Sequence, residues 1–196
     1  MSRARVAVLI SGGGSNMQAL AEAARAADCP YKVVLVLSNN PEAGGLARAA
    51  ALGVPAEVID HRPFGRDRAA HECAIDARLR ASGVEWVALA GYMRVLTPWL
   101  VDAWRGRMLN IHPSLLPAFP GLDTHARALA AGATVHGCTV HLVTEGVDAG
   151  PILGQAEVPV LPDDTPDTLA ARVLKAEHAL YPAVLARTVR TQQASA

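Results

Sequence analysis

Asn110 and His112 stand two residues apart in MLNIH, an apolar run that ends at Pro113. On an extended backbone side chains alternate with period 2, so the amide and the imidazole project from one face and can address one substrate atom. A neutral amide donates a hydrogen bond to a developing oxyanion, and a histidine can deliver a proton to it. Asp148, in TEGVDAG, would supply a carboxylate that favours the imidazolium. The three together suit acyl transfer through a tetrahedral intermediate, with no protein nucleophile. The same residues also fit a strand-end histidine satisfied by backbone and an aspartate capping a turn, and spacing alone leaves both readings open.

A second chemical stretch is SGGGSN, Ser11 to Asn16. Glycines allow a sharp turn and bring free N–H groups close to an anion, and the start of a following helix adds its positive dipole end. A small phosphorylated ligand fits, although any first strand-to-helix turn can be glycine-rich. A dinucleotide fingerprint started at Gly12 would need glycine where Met17 stands, and the P-loop lysine is missing. Ser114 lies in no GxSxG elbow. His136 and His141, five apart in a strand-like run, face opposite sides, and no HExxH spacing occurs, so no metal is expected. Met93 and the aliphatic residues around Arg94 fit either plain core or an apolar slot for a flat ring.

These residues need a scaffold. Strand-like runs at 5–10, 31–37, 55–60 and 84–90 alternate with helix-like stretches at 17–27, 46–53 and 66–82. Such alternation implies right-handed crossovers and a Rossmann-like α/β fold: a mainly parallel twisted sheet with helices on both faces. Ligands then bind beyond the carboxyl ends of the strands. SGGGSN, GYMRVL (91–96) and the loop after His112 should therefore share one rim. A short helix at 98–104 leads into the strand carrying Asn110, and a helix at 125–131 follows the proline loop. Runs at 135–143 and 152–160 are joined briefly enough to form an antiparallel pair. A final helix spans 165–190, with a bend or break expected at Pro182 and a frayed tail after it.

Composition narrows the function classes. A chain of 196 residues predicts a single domain over 1–196. Lysine plus arginine equals aspartate plus glutamate, 18 of each, so no global field draws the chain to nucleic acid or an anionic membrane. Cys29, Cys73 and Cys138 are odd in number and widely spaced, and read as buried free thiols. No run approaches a membrane span, and the apolar run before SGGG is too short for a signal peptide. A cytoplasmic enzyme or binding protein is the expectation.

SGGGSN, AGYMRVL, MLNIHPSLLPAFPGL, HGCTVHLV, TEGVDAGPIL and KAEHALYP, in this order, resemble the phosphoribosylglycinamide formyltransferases, the folate-dependent transformylases of purine synthesis. The resemblance spans nearly the whole chain. It implies the formyltransferase fold and formyl transfer from 10-formyltetrahydrofolate, as co-substrate, to the amine of glycinamide ribonucleotide. It implies a catalytic trio of Asn110, His112 and Asp148, the last tuning His112 and ordering a proton-shuttling water. Gly14, Ser15, Asn16 and Glu177 would bind glycinamide ribonucleotide. Met93, Arg94, Val95 and Leu96, with Asn110 and the backbone of Thr144, Glu145, Gly146, Val147 and Asp148, would form the folate site. Small-molecule substrates only, no metal and a monomer or homodimer are implied. Gly13 stands where relatives often carry asparagine and Asp123 where histidine is common, while Arg66 or Arg68 would contact the folate. A related deformylase, in which water replaces the amine, is the alternative within the same chemistry.

Overall fold

A computed structural model of the chain describes residues 2–195. In order the elements are β1 (Ala4–Ile10), α1 (Ser15–Ala23), β2 (Tyr31–Ser38), α2 (Gly44–Ala51), β3 (Ala56–Val58), α3 (Arg68–Ala81) and β4 (Trp86–Leu89). They continue with α4 (Pro98–Ala103), β5 (Met108–His112), α5 (Thr124–Ala130), β6 (Val135–Leu142), β7 (Ile152–Pro159) and α6 (Pro166–Ala194). The strands form one sheet in the order β3-β2-β1-β4-β5-β6-β7. Pairing is parallel from β3 to β5 and antiparallel for β5–β6 and β6–β7. The expected β6–β7 pair is thus present, and the sheet reverses one strand earlier as well.

Why β1 reads as a continuous apolar run follows from its central place, since a strand covered on both faces buries every side chain. Val6, Val8 and Ile10 pack with Met17 and Leu20 of α1 and with Val173, Tyr181 and Leu185 of α6. Ala7 and Leu9 join Ile75 and Leu79 of α3 and Leu100 and Trp104 on the other face. Helices thus cover both faces. β5 uses the same alternation: Met108 enters the α3–α4 core while Leu109 and Ile111 enter the α1–α6 core. Asn110 and His112 therefore continue the face that Met108 begins.

Three expectations are corrected. α6 runs unbroken through Pro182 to Ala194, beyond the expected end. The loss of one backbone donor at Pro182 is outweighed by the buried stripe on either side, including Leu169, Val173, Tyr181, Leu185 and Val189. The Tyr181 hydroxyl also fastens the helix to the sheet, 3.1 Å from the carbonyls of both Leu89 and Leu109. Finally, Cys73 is exposed, not buried. The inward stripe of α3 is His71, Glu72, Ile75, Asp76 and Leu79, which leaves position 73 facing out.

Candidate active site

β5 stops at His112 because Pro113 has no N–H to continue a ladder. In the β5–β6 register Asn110 lies opposite His141 and His112 opposite Thr139. Asn110 Nδ2 is 3.2 Å from His141 Nε2, and His141 Nδ1 is 2.9 Å from the Leu142 carbonyl. The Nδ1–H therefore donates to the Leu142 carbonyl, and Nε2 lies between the Asn110 amide and the Asp148 carboxylate. One N–H of that amide stays uncommitted.

Asp148 reaches the pair from the loop between β6 and β7. Its Oδ2 is 3.3 Å from His112 Nδ1 and its Oδ1 is 3.6 Å from His141 Nε2. The Gly121 N–H donates to Oδ2 at 2.9 Å. Burial pushes the Asp148 carboxyl up, but the His141 ring, the Gly121 N–H and the His112 charge together outweigh it, so the net direction is down. The 3.6 Å separation makes the His141 contribution an electrostatic contact rather than a well-formed hydrogen bond. On its other side the His112 Nε2–H donates to the Phe119 carbonyl at 3.0 Å. Both ring nitrogens thus face oxygen atoms, the Asp148 contact at ion-pair separation and the Phe119 contact as a hydrogen bond. Phe119, Asp123 and Asp148 all hold left-handed φ, near 53°, 56° and 52°. Such backbone costs about 1 kcal/mol or more per residue and persists where surroundings hold it, as the His112 hydrogen bond does at Phe119 and the Gly121 hydrogen bond at Asp148.

The glycine loop lies beside the turn after β4, since the Ser11 N–H donates to the Gly91 carbonyl at 3.1 Å. Gly14, with φ 73°, ends the loop, and a Cβ there would fall 2.6 Å from Gly45 Cα. Close approach of two backbones is what the glycine permits. No side chain caps α1, so its first N–H groups remain open to an anion. Ser15 opens that helix, and Asn16 turns inward to donate from Nδ2 to Glu177 Oε2 at 2.7 Å. Asn16 Oδ1 is buried with no hydrogen-bond partner among the described residues. Glu177 lines a cavity of about 220 Å³ with Pro113, His125 and Leu174. A larger cavity of about 660 Å³, between α1 and α6, touches the loop only at Ser15 and is lined by none of Asn110, His112 and Asp148. It is not the place where the chemical groups meet.

Burial pushes the Glu177 carboxyl up to about 7, against the Asn16 hydrogen bond that holds it down. The folded chain therefore keeps a proton that the unfolded chain releases nearer 4.5. This contribution to stability is complete below the unfolded value and is lost as pH rises through about 7, a loss of about 3 kcal/mol. Glu177→Gln has no such proton to lose. Its melting temperature is expected to fall less than the parent's between pH 5 and pH 8, and an identical fall in both would contradict the assignment.

Met93 and Val95 project outward, as does Val147 beside Asp148. Arg94 is half-buried beside Tyr92 and His71, while Leu96 packs into the α3–α4 core. Thr144 is half-buried, and Glu145 and Gly146 are exposed. Of the two arginines considered for the folate, Arg68 is engaged with the protein, its Nη1 lying 3.4 Å from the Val95 carbonyl. Asp123 is the N-cap of α5 and makes no side-chain capping bond.

A family model described as formyl transferase matches residues 4–185. The chain is 42% identical to the phosphoribosylglycinamide formyltransferase of Haemophilus influenzae, covering 92% of this chain and 85% of that one. The crystal structure of phosphoribosylglycinamide formyltransferase from Brucella melitensis superposes with a TM-score of 0.92 at 55% identity, covering 96% of both chains. The chain belongs to the formyl transferase family. It is also 51% identical to the trifunctional purine biosynthetic protein adenosine-3 of Drosophila melanogaster, over 95% of this chain but 14% of that protein's length. The chain therefore spans a small part of such relatives.

In this formyl transferase the rim expected from the sequence exists, and Asn110, His112 and Asp148 meet on it. What residue types alone missed is His141, read as an ordinary strand histidine and found between Asn110 and Asp148. The signal that finds it is register: position 141 faces position 110 only once β5 and β6 are aligned. The Phe119 carbonyl and the Gly121 N–H were missed because backbone groups have no signature in the sequence.

Proposed function

We propose that the chain, as a single formyltransferase domain over 1–196, moves the formyl group of 10-formyltetrahydrofolate onto the amine of 5′-phosphoribosylglycinamide. The products are N-formylglycinamide ribonucleotide and tetrahydrofolate, a step of purine synthesis. The observation that carries this reading is the meeting of Asn110, His112 and Asp148 around His141, in a chain of the formyl transferase family whose α1, after the glycine loop, has no side-chain cap. The phosphate would sit on the N–H groups of Gly14, Ser15 and Asn16. Asn16 Oδ1 and Glu177 would meet the hydroxyl-bearing part of the ribonucleotide. The pterin would lie against Met93, Arg94, Val95 and Leu96, with the backbone of Thr144 to Asp148 across from it.

The amine nitrogen attacks the formyl carbon, a carbon–nitrogen bond forms, and the carbonyl oxygen becomes an oxyanion. The free N–H of Asn110 and the imidazolium of His112 stabilise it. His112 would exchange a neutral acceptor, the Phe119 carbonyl, for a charged one, and charge-assisted hydrogen bonds are the stronger kind. Asp148 holds the ring in place and sustains its charge. The bond from the formyl carbon to the folate nitrogen then breaks, and the proton lost by the amine goes to that nitrogen, through His112 and water. No metal enters this scheme. A cytoplasmic monomer or homodimer acting on small molecules completes the reading.

The test is release of tetrahydrofolate from 10-formyltetrahydrofolate with and without glycinamide ribonucleotide. Release that requires the amine is expected. Equal release without it would instead indicate a deformylase, and none in either case would indicate a binding protein.

A further inference from the structure

Residues 92–97 belong to no helix or strand, yet on the reading above they form the wall against which the formyl donor lies. Met93 and Val95 are 66% and 58% exposed and cannot anchor the segment, while Tyr92 and Leu96 are packed inward. No ladder fixes this backbone. Its two ends are instead held by side chains from elsewhere in the fold. Ser11 Oγ accepts the Met93 N–H at 2.8 Å and donates to Asn39 Oδ1 at 2.6 Å, so the hydroxyl is itself oriented. At the far end Glu72 of α3, only 3% exposed, accepts the Thr97 N–H at 2.8 Å on one carboxyl oxygen and the Thr97 hydroxyl on the other. A buried carboxyl group that spends both oxygens on a single loop residue is a fixed post.

We propose that Ser11 and Glu72 are positioning residues for the formyl donor, holding the slot backbone at its two ends without touching the ligand. The inference rests on the reading of Met93 to Leu96 as the donor slot. Without either post the exposed segment gains conformations, and the donor must select the competent one from a mixture, which weakens its binding. The groups that contact the reacting atoms lie on β5 and the β6–β7 loop and keep their places.

Kinetics and binding on the full chain test this. Ser11→Ala and Glu72→Ala are each expected to raise KM for 10-formyltetrahydrofolate about tenfold and to change kcat less than threefold. The Kd for tetrahydrofolate by calorimetry should rise in parallel. Ser11→Thr, which keeps the hydroxyl, should recover most of the loss, whereas general damage to the turn would not be rescued. Should Glu72→Ala fail to fold, Ser11→Ala decides alone. Donor KM and tetrahydrofolate Kd within twofold of the parent in Ser11→Ala would overturn the proposal, as would no rescue by Ser11→Thr. Because the Kd needs no turnover, a parent that binds tetrahydrofolate but transfers no formyl group defeats only the functional reading. A parent that binds no folate defeats both.

Discussion

Alanine at Asn110 or at His112 is expected to lower kcat by about 10² to 10³, the usual effect of losing one preorganised oxyanion donor, with the melting temperature of the fold kept within a few degrees. Asn110 is half-buried in the middle of β5, and its amide is aimed by the His141 contact at 3.2 Å. Alanine at 110 removes the donor and leaves the strand, since Leu109 and Ile111 carry the packing. Alanine at 112 removes both the donor and the proton carrier, so the His112 variant should be the slower of the two. Asp148→Asn should fall between the parent and the His112 variant, because the amide can still accept from Gly121 but no longer supports an imidazolium. Steady-state kinetics with circular dichroism checks all three. Near-parental turnover in either alanine variant, with the fold intact, would remove these residues from the chemistry.

Gly150→Ala is expected to damage both stability and activity, although position 150 holds no chemical group. A Cβ there would lie inside the van der Waals envelope of the Leu142 carbonyl oxygen and 2.9 Å from its carbon. Backbone cannot step aside as a flexible side chain can, so either the loop or the end of β6 must shift. Overpacking of this kind costs about 1 to 3 kcal/mol. The same carbonyl accepts from His141 Nδ1 at 2.9 Å, and Asp148 is two residues upstream of the collision. Two members of the cluster are therefore displaced together, and a misplacement of about 1 Å can cost on the order of 10² in rate. A melting temperature lower by several degrees and kcat/KM lower by about 10² are the expected readings. Parental values for both would mean that the β6–β7 loop is not fixed by this contact.

Much of the scaffold was legible because its causes are local. Strands buried on both faces read as unbroken apolar runs, as in β1, and the short connection between β6 and β7 marks an antiparallel pair. The reversal at β5–β6 had no such mark, since a proline loop and the short α5 intervene between the two strands. The interruption considered at Pro182 is absent for a related reason: a local rule about proline yields to tertiary packing when the helix is buried on both sides of it. In the site, the shared face of Asn110 and His112 followed from strand alternation alone. Asp148 was a candidate carboxylate on chemistry alone, and its tie to His112 rested more on resemblance to a known family than on spacing, because nothing local says where a distant loop will fold. His141 shows the remaining gap, for its partner is fixed by register, and register is a property of two strands together.

On the function proposed above, this formyl transferase delivers its formyl group to an amine rather than to water. The most direct measurement is the fate of a ¹³C-labelled formyl carbon on 10-formyltetrahydrofolate, followed by NMR in the presence of glycinamide ribonucleotide. The label is expected to appear as an amide on the ribonucleotide, in step with tetrahydrofolate. Label recovered as free formate would contradict the account.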